Sequence, residues 1–259
     1  MDKPILDFFD EEGLINKESY VKNSKDFHKQ ELLNKYNIDT ALFVFIKDDI
    51  GALIDTSKLE DFYLFTNGSN RNPCYIYDKK FILAITPLGG PAAGGLMEEL
   101  GFMGITNFFA CGSAGQINHD LDPSYFVLVD KAIRCEGTSY SYLKPSLYAY
   151  TNKDLTSHIA NYLDKNNYKY NVAATWTTDS FYRETQRELE LRLSQGAASV
   201  EMECASWCAI AEYRGYKFAQ LLYFSDALKQ EGWKWKADKK ILKKLIIDLM
   251  LDCVSEYNK

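Results

Sequence analysis

Hydrophobic positions in this chain fall in short runs separated by polar or glycine-rich stretches. Residues 41–46 (ALFVFI), 81–85 (FILAI), 106–110, 125–133, 171–176 and 217–224 are rich in aromatic, aliphatic and β-branched side chains. Runs of this length between turn residues predict buried strands. Helical spacing predicts helices over 25–36, 155–166 and 201–214, the last stopped by Gly215, and a long amphipathic helix over 237–257. Residues 74–77 and 80–86 read as a hairpin about Asp78-Lys79, and 66–73 (TNGSNRNP) as a turn-rich link. Alternating strands and helices predict an α/β layered fold with a largely parallel sheet.

In such sheets ligands bind beyond the carboxyl ends of the strands. Five predicted strands lead into polar segments there: 87–95 (PLGGPAAGG, running into a helix through Leu100), 111–115 (CGSAG), 134–142 (RCEGTSYSY), 177–184 (TTDSFYRE) and Ser225-Asp226. Their convergence would make one polar cleft. The stretch 199–228 organises the reading, because Glu201, Glu203 and Asp226 place carboxylates at a helix start and a strand end. Acids in a first helical turn also favour the macrodipole, so Glu201 and Glu203 have a structural reading as well.

Bulk properties narrow the function classes. With 259 residues, 46% hydrophobic, the chain suits a single domain spanning 1–259 with a sizeable core. The net charge of −6 and the lack of a long basic tract argue against nucleic-acid binding. The lysines between 234 and 244 interleave with acids and apolar residues, as on a solvated helix face. Six cysteines without a C-x-x-C pair, and three histidines, argue against a metal site. No uncharged run approaches a membrane span, and 1–12 is acidic without the apolar core of a signal peptide. The expected location is cytoplasmic.

The segments CGSAG, AIRCEGTSYSYL, WTTDSFYRET, SVEMECAS and FSDAL, in that order, resemble the purine nucleoside and uridine phosphorylase superfamily. The likeness runs from about residue 80 to 228. It implies a three-layer α/β/α sandwich around a twisted, partly closed mixed β-sheet, commonly a homodimer or dimer-based hexamer. It implies cleavage of a nucleoside N-glycosidic bond, with phosphate as co-substrate and no cofactor. The transition state resembles an oxocarbenium ion, so a site must grip the sugar, stabilise the leaving base and hold a nucleophile at the anomeric carbon.

The resemblance also assigns roles. Glu203 matches the ribose carboxylate, with Met202 and Glu201 beside it. Asp226 matches the acid used by purine-specific members at the imidazole ring, which favours a purine. Phe181 matches the residue that stacks on the base; Tyr182, Thr178 and Arg183 flank it, Arg183 either reading the base or pairing with Asp179. Ser113, with the backbone of Gly112 and Ala114, matches the Ser/Thr that hydrogen-bonds phosphate, and Gly89 and Gly90 could let backbone approach the same oxyanion. Two features depart from the pattern: Ala110 stands where phosphorylases carry an Arg, and the N-terminal Pro-Gly-Asp-Pro segment with its Arg is missing. Arg71, lent by a neighbouring subunit, and Arg134 are the remaining phosphate cations, although Arg134 also has a structural reading through Glu136. His28 is the nearest histidine for the sugar 5′-hydroxyl, in different surroundings. A phosphorylase of purine nucleosides is therefore expected. The alternatives are a nucleoside hydrolase, with Glu11 or Glu12 as its acid, a uridine phosphorylase, or a non-catalytic nucleoside-binding protein.

Overall fold

A computed structural model describes residues 11–26, 28–46, 50–229, 232–236 and 238–258. The expectation for the first dozen residues lies almost wholly outside this set. The described strands are β1 (Thr40–Val44), β2 (Leu59–Asn67), β3 (Asn70–Tyr77), β4 (Phe81–Ile85), β5 (Asn107–Gln116), β6 (Phe126–Cys135), β7 (Tyr148–Tyr150), β8 (Tyr170–Thr178), β9 (Ala197–Glu201), β10 (Lys217–Lys229) and β11 (Gly232–Trp235). The helices are α1 (Lys17–Asn23), α2 (Lys29–Tyr36), α3 (Gly90–Met103), α4 (Lys153–Lys165), α5 (Gln186–Ser194), α6 (Cys204–Arg214) and α7 (Lys239–Tyr257).

The central strands are apolar on both faces because helices cover both. In β1, Ala41 and Phe43 join the core that contains α3 and α6 residues such as Leu96, Met97, Trp207 and Ile210. Leu42 and Val44 point into the opposite core with Leu155 and Ile159 of α4 and Ile246 and Met250 of α7. β4 divides its side chains in the same way. The result is the expected three-layer α/β/α sandwich.

All eleven strands form one sheet, and its pairings close a circuit. β5 pairs with β9, β9 with β8, β8 with β6, β6 with β10, and β10 returns to β5. From β5 the order β1-β4-β3-β2 extends as an open wing. The partly closed mixed sheet thus matches the family expectation. The largely parallel sheet read from alternation does not, since β2/β3, β3/β4, β5/β9, β6/β7, β6/β10 and β10/β11 are all antiparallel.

Other differences have local causes. The 66–73 link is mostly strand, with only its tip turning, because Asn70–Asn72 pair with Phe65–Asn67 across β2 and β3. The hairpin about Asp78-Lys79 forms as expected, both residues taking positive φ. CGSAG is not a loop but the second half of β5. The predicted helix over 201–214 begins only at Cys204; Glu201 ends β9, and Gly215 closes α6 in the left-handed region at φ 72°. The helix after β4 begins earlier than expected, at Gly90, with Pro91 in its first turn.

Candidate active site

CGSAG can run as a strand because its glycines let neighbours close in. A Cβ on Gly112 would stand 3.0 Å from the Phe45 ring, and one on Gly115 would stand 2.6 Å from Leu228, 3.0 Å from Val200 and 3.3 Å from Asp226 Oδ2. The register sets Gly115 between Val200 of β9 and Asp226 of β10. The carboxylate-bearing ends of β9 and β10 therefore flank the same piece of β5, where Ser113 is exposed and lies opposite Tyr223.

Glu201 is 6% exposed and accepts three donors. Oε2 takes the Glu203 amide at 2.8 Å and the Cys204 amide at 2.7 Å, and Oε1 takes the Thr177 hydroxyl at 2.6 Å. It caps the N-terminus of α6 from the preceding strand, so the structural reading accounts for these three bonds. Thr177 Oγ1 accepts the Ala205 amide in turn. Glu203, 4% exposed, reaches the other way: Oε1 accepts the Gly89 amide at 2.6 Å, at the start of α3. Gly89 makes this turn at φ 91°. Gly90 is fixed by packing, since a Cβ there would come within 2.3 Å of Ser206 Oγ. Met202 is half-buried between the two acids.

Burial, then the Glu201 charge, pushes the Glu203 carboxyl up to about 8. Burial pushes Glu201 up to about 7 against its three donors. The richer set of donors favours the charged form on Glu201, so a proton shared by this pair at neutral pH resides on Glu203. A third buried acid, Glu136, contributes to the field. Its Oε2 accepts Ser139 N and Ser206 Oγ, while Oε1 is buried without a hydrogen-bond partner.

At the other side of β5, Asp226 accepts Ser225 Oγ at 2.6 Å and the Trp233 indole N–H at 2.8 Å. Glu184 feels the Asp226 charge; burial first, then Asp226, pushes its carboxyl up to about 7. Phe181 and Tyr182 pack together with ring centroids 3.9 Å apart, and both are exposed. Thr178 is buried and accepts the Ser180 amide. Arg183 is exposed and forms no ion pair with Asp179, whose Oδ2 accepts the Gly137 amide instead.

The two arginines separate. Arg134 is 3% exposed; it donates to Ser139 Oγ, the Lys144 and Leu143 carbonyls and Ser146 Oγ, and it stacks on Tyr140 at 4.3 Å. Four of its five N–H donors are thus spent on the 139–146 loop. This bonding fits the structural reading of Arg134 as a loop anchor, through carbonyls and hydroxyls rather than through Glu136. Arg134→Ala should lower the unfolding temperature by about 5 °C or more, for several lost charged hydrogen bonds. The KM for phosphate should stay unchanged; a selective rise in that KM would reverse this assignment. Arg71 is exposed on β3 opposite Thr66. Two strands lie between β3 and β5, which at about 4.8 Å per strand step puts Arg71 roughly 14 Å from the Ser113 strand of its own subunit. His28 is exposed and bonds the Lys25 carbonyl. Among the described residues no cluster of His, Cys, Asp and Glu could hold a metal ion, and no helix is long and apolar enough to cross a membrane.

Nothing in the sequence pointed to Trp233 near Asp226, because the β10–β11 pairing brings it there, and Glu184 was visible only as the last residue of the polar segment 177–184. Thr177 was visible only as a member of a polar loop beside Thr178, and Glu136 only as a partner considered for Arg134.

Residues 40–253, from β1 into α7, match the family model described as phosphorylase superfamily. The chain belongs to that superfamily. Among curated members it is similar to a guanosine phosphorylase of Halorubrum lacusprofundi, 26% identical over 132 residues, which are 51% of this chain and 55% of that one. It is also similar to uridine phosphorylases of Thermococcus kodakarensis, 30% identical over 97 residues (38% of this chain, 35% of the relative), and of Haemophilus influenzae, 25% identical over 113 residues (44% and 45%). The chain thus spans about half the length, or less, of the curated superfamily members it matches. Glu203, Asp226, Ser113 and Gly89 all lie within the superfamily match, whereas α1 and α2 precede it.

Proposed function

We propose that the chain cleaves the N-glycosidic bond of a nucleoside by phosphorolysis, releasing free base and ribose 1-phosphate, with a purine preferred. The observation that carries this reading is the buried Glu203 carboxyl at the Gly89 turn, with Asp226 on the strand beside Gly115. Family membership and relatives that act on guanosine or uridine support it.

In this reading Glu203, when ionised, accepts the two vicinal ribose hydroxyls, as a carboxylate with several lone pairs can. Met202 lines the sugar ring. A phosphate oxygen bonds to the anomeric carbon while the carbon–nitrogen bond breaks, and the electron pair leaves on the base. Asp226 supports the imidazole ring as negative charge develops there. Phe181, with Tyr182 behind it, stacks on the base, and Thr178 and Arg183 border it. Ser113 and the Gly112 and Gly90 backbone face the phosphate.

Hydrolysis is the second reading, and two bonds favour it. Gly89 spends its amide on Glu203, and Arg134 spends its donors on its own loop. A phosphate dianion without cations is costly to bury. Each missing charged contact costs on the order of 1.5–3 kcal/mol, so phosphate affinity is expected to be weak. The test is a panel of purine and pyrimidine nucleosides at increasing phosphate and fixed ionic strength. Base release that rises with phosphate and yields ribose 1-phosphate supports phosphorolysis. Release indifferent to phosphate and yielding free ribose means hydrolysis. Faster turnover of uridine than of any purine nucleoside would overturn the purine preference, and no release from any nucleoside would leave a binding protein.

A further inference from the structure

β11 carries two tryptophans at the edge of the sheet, Trp233 51% exposed and Trp235 56% exposed. Large apolar side chains at a strand edge forgo burial and invite unwanted pairing. Ser225 is the extra residue of a bulge in β10, since Phe224 pairs with Ala114 and Asp226 with the next residue, Gly115. A bulge re-aims the side chains beside it. The Lys236 amide donates to the Ser225 carbonyl at 2.9 Å, and Lys236 Nζ lies over the Phe224 ring and donates to the Pro123 carbonyl. The β10–β11 ladder begins at Asp226, opposite Trp235.

Asp226 thereby meets a side-chain donor on each oxygen: Ser225 Oγ at Oδ1 and the Trp233 indole N–H at Oδ2. An aspartate χ2 is a broad, two-fold rotor when nothing holds it. Two donors on opposite oxygens fix the carboxylate plane and still leave each oxygen a lone pair for a ligand. Trp235 meets Trp233 edge to face at 4.6 Å and keeps the indole in place.

We propose that Trp233 is a positioning residue for base recognition: its indole N–H fixes the Asp226 carboxylate so that its free lone pairs face the leaving base. This rests on the reading of Asp226 given above. Trp233 touches no reacting atom and acts only through Asp226, which makes the role separable from general packing.

The experiment is a double-mutant cycle in kcat/KM with guanosine and phosphate, using Trp233→Phe, Asp226→Ala and the pair, with thermal unfolding to confirm each fold. Trp233→Phe is expected to lower kcat/KM about 10-fold, as for one charge-assisted hydrogen bond. In the Asp226→Ala background it should have no further effect, because residues acting as a unit are non-additive. Losses that multiply, or a Trp233→Phe enzyme within about 2-fold of the parent, overturn the proposal while leaving Asp226 at the base. An Asp226→Ala enzyme with parental activity removes Asp226 from the site, and the proposal with it. Should Trp233→Phe fail to fold, Asp226→Ala gives a second readout: tryptophan emission should shift as the indole loses its carboxylate acceptor. An unchanged spectrum overturns the proposal.

Discussion

Exchanging Glu203 for glutamine should lower kcat/KM on a ribonucleoside by roughly 10²-fold or more and, at pH 8, should raise the unfolding temperature. The two effects have one origin. Glu203 is held almost without water, with Glu201 nearby, and its carboxyl is pushed up to about 8. In the unfolded chain it titrates near the ordinary glutamate value of 4.5. The folded state therefore keeps a proton that the unfolded state releases as pH rises from about 4.5. Stability from this group is complete below that pH, declines up to about 8, and is absent above it. Glutamine does not titrate, so the variant escapes the decline. The gain should be largest at pH 8 and smallest near pH 5, with each kcal/mol appearing as ~2–4 °C. In the proposed ribose role activity should move oppositely, because accepting two hydroxyls needs the charged form. The parental kcat/KM should rise towards pH 8, about tenfold per pH unit below the Glu203 pKa. A glutamine variant that turns over normally, or that unfolds earlier than the parent at pH 8, sinks this account.

Arg71→Ala should raise the KM for phosphate by about 10- to 150-fold with little change in the KM for nucleoside, for loss of one charged contact. Exclusion of the other donors and distance both single out Arg71. Arg134 is committed to its loop, the Gly89 amide is committed to Glu203, and Ala110 offers no charge. Arg71 stands two intervening strands from Ser113, beyond reach within one subunit but free to enter a second copy's site. Subunit mixing tests this directly. At phosphate well below the KM of the Arg71→Ala enzyme, the Arg71→Ala and Glu203→Gln enzymes should each be poorly active, yet in a hybrid dimer one of the two sites has both residues intact. Random exchange should restore about a quarter of parental activity. No recovery on mixing, or an active monomer by light scattering, rules out a role for Arg71 across an interface.

How far the sequence reached depends on the kind of interaction. Strands such as β1 and β4 were legible because burial on both faces writes an unbroken apolar run. The helix α6 was legible at its end, where Gly215 is needed for positive φ, and not at its start, where Glu201 belongs to a strand. β9 was missed because Ala197–Glu201 is short and gains its identity from β8 and β5. CGSAG was misread for the same reason: small residues signal a loop, yet here they admit Val200, Leu228 and Phe45 at close quarters. Family likeness pointed to Glu203 and Asp226; the structure sets Glu203 against the Gly89 turn and Asp226 beside Gly115 of β5. It could not show which arginine is occupied, since Arg134 meets carbonyls and hydroxyls that carry no charge signature.

The closed circuit of strands also dictates when the site can exist at all. β5 must wait for β9, made only after α4, β8 and α5, and for β10, which follows α6. Until then its glycine-rich half has an unpaired edge and nothing to shield it. Long-range closures of this kind are slow and leave such edges open to aggregation. Folding of this chain should therefore end, rather than begin, with the segment that carries Ser113, and Glu201 and Asp226 should reach it in that same final step.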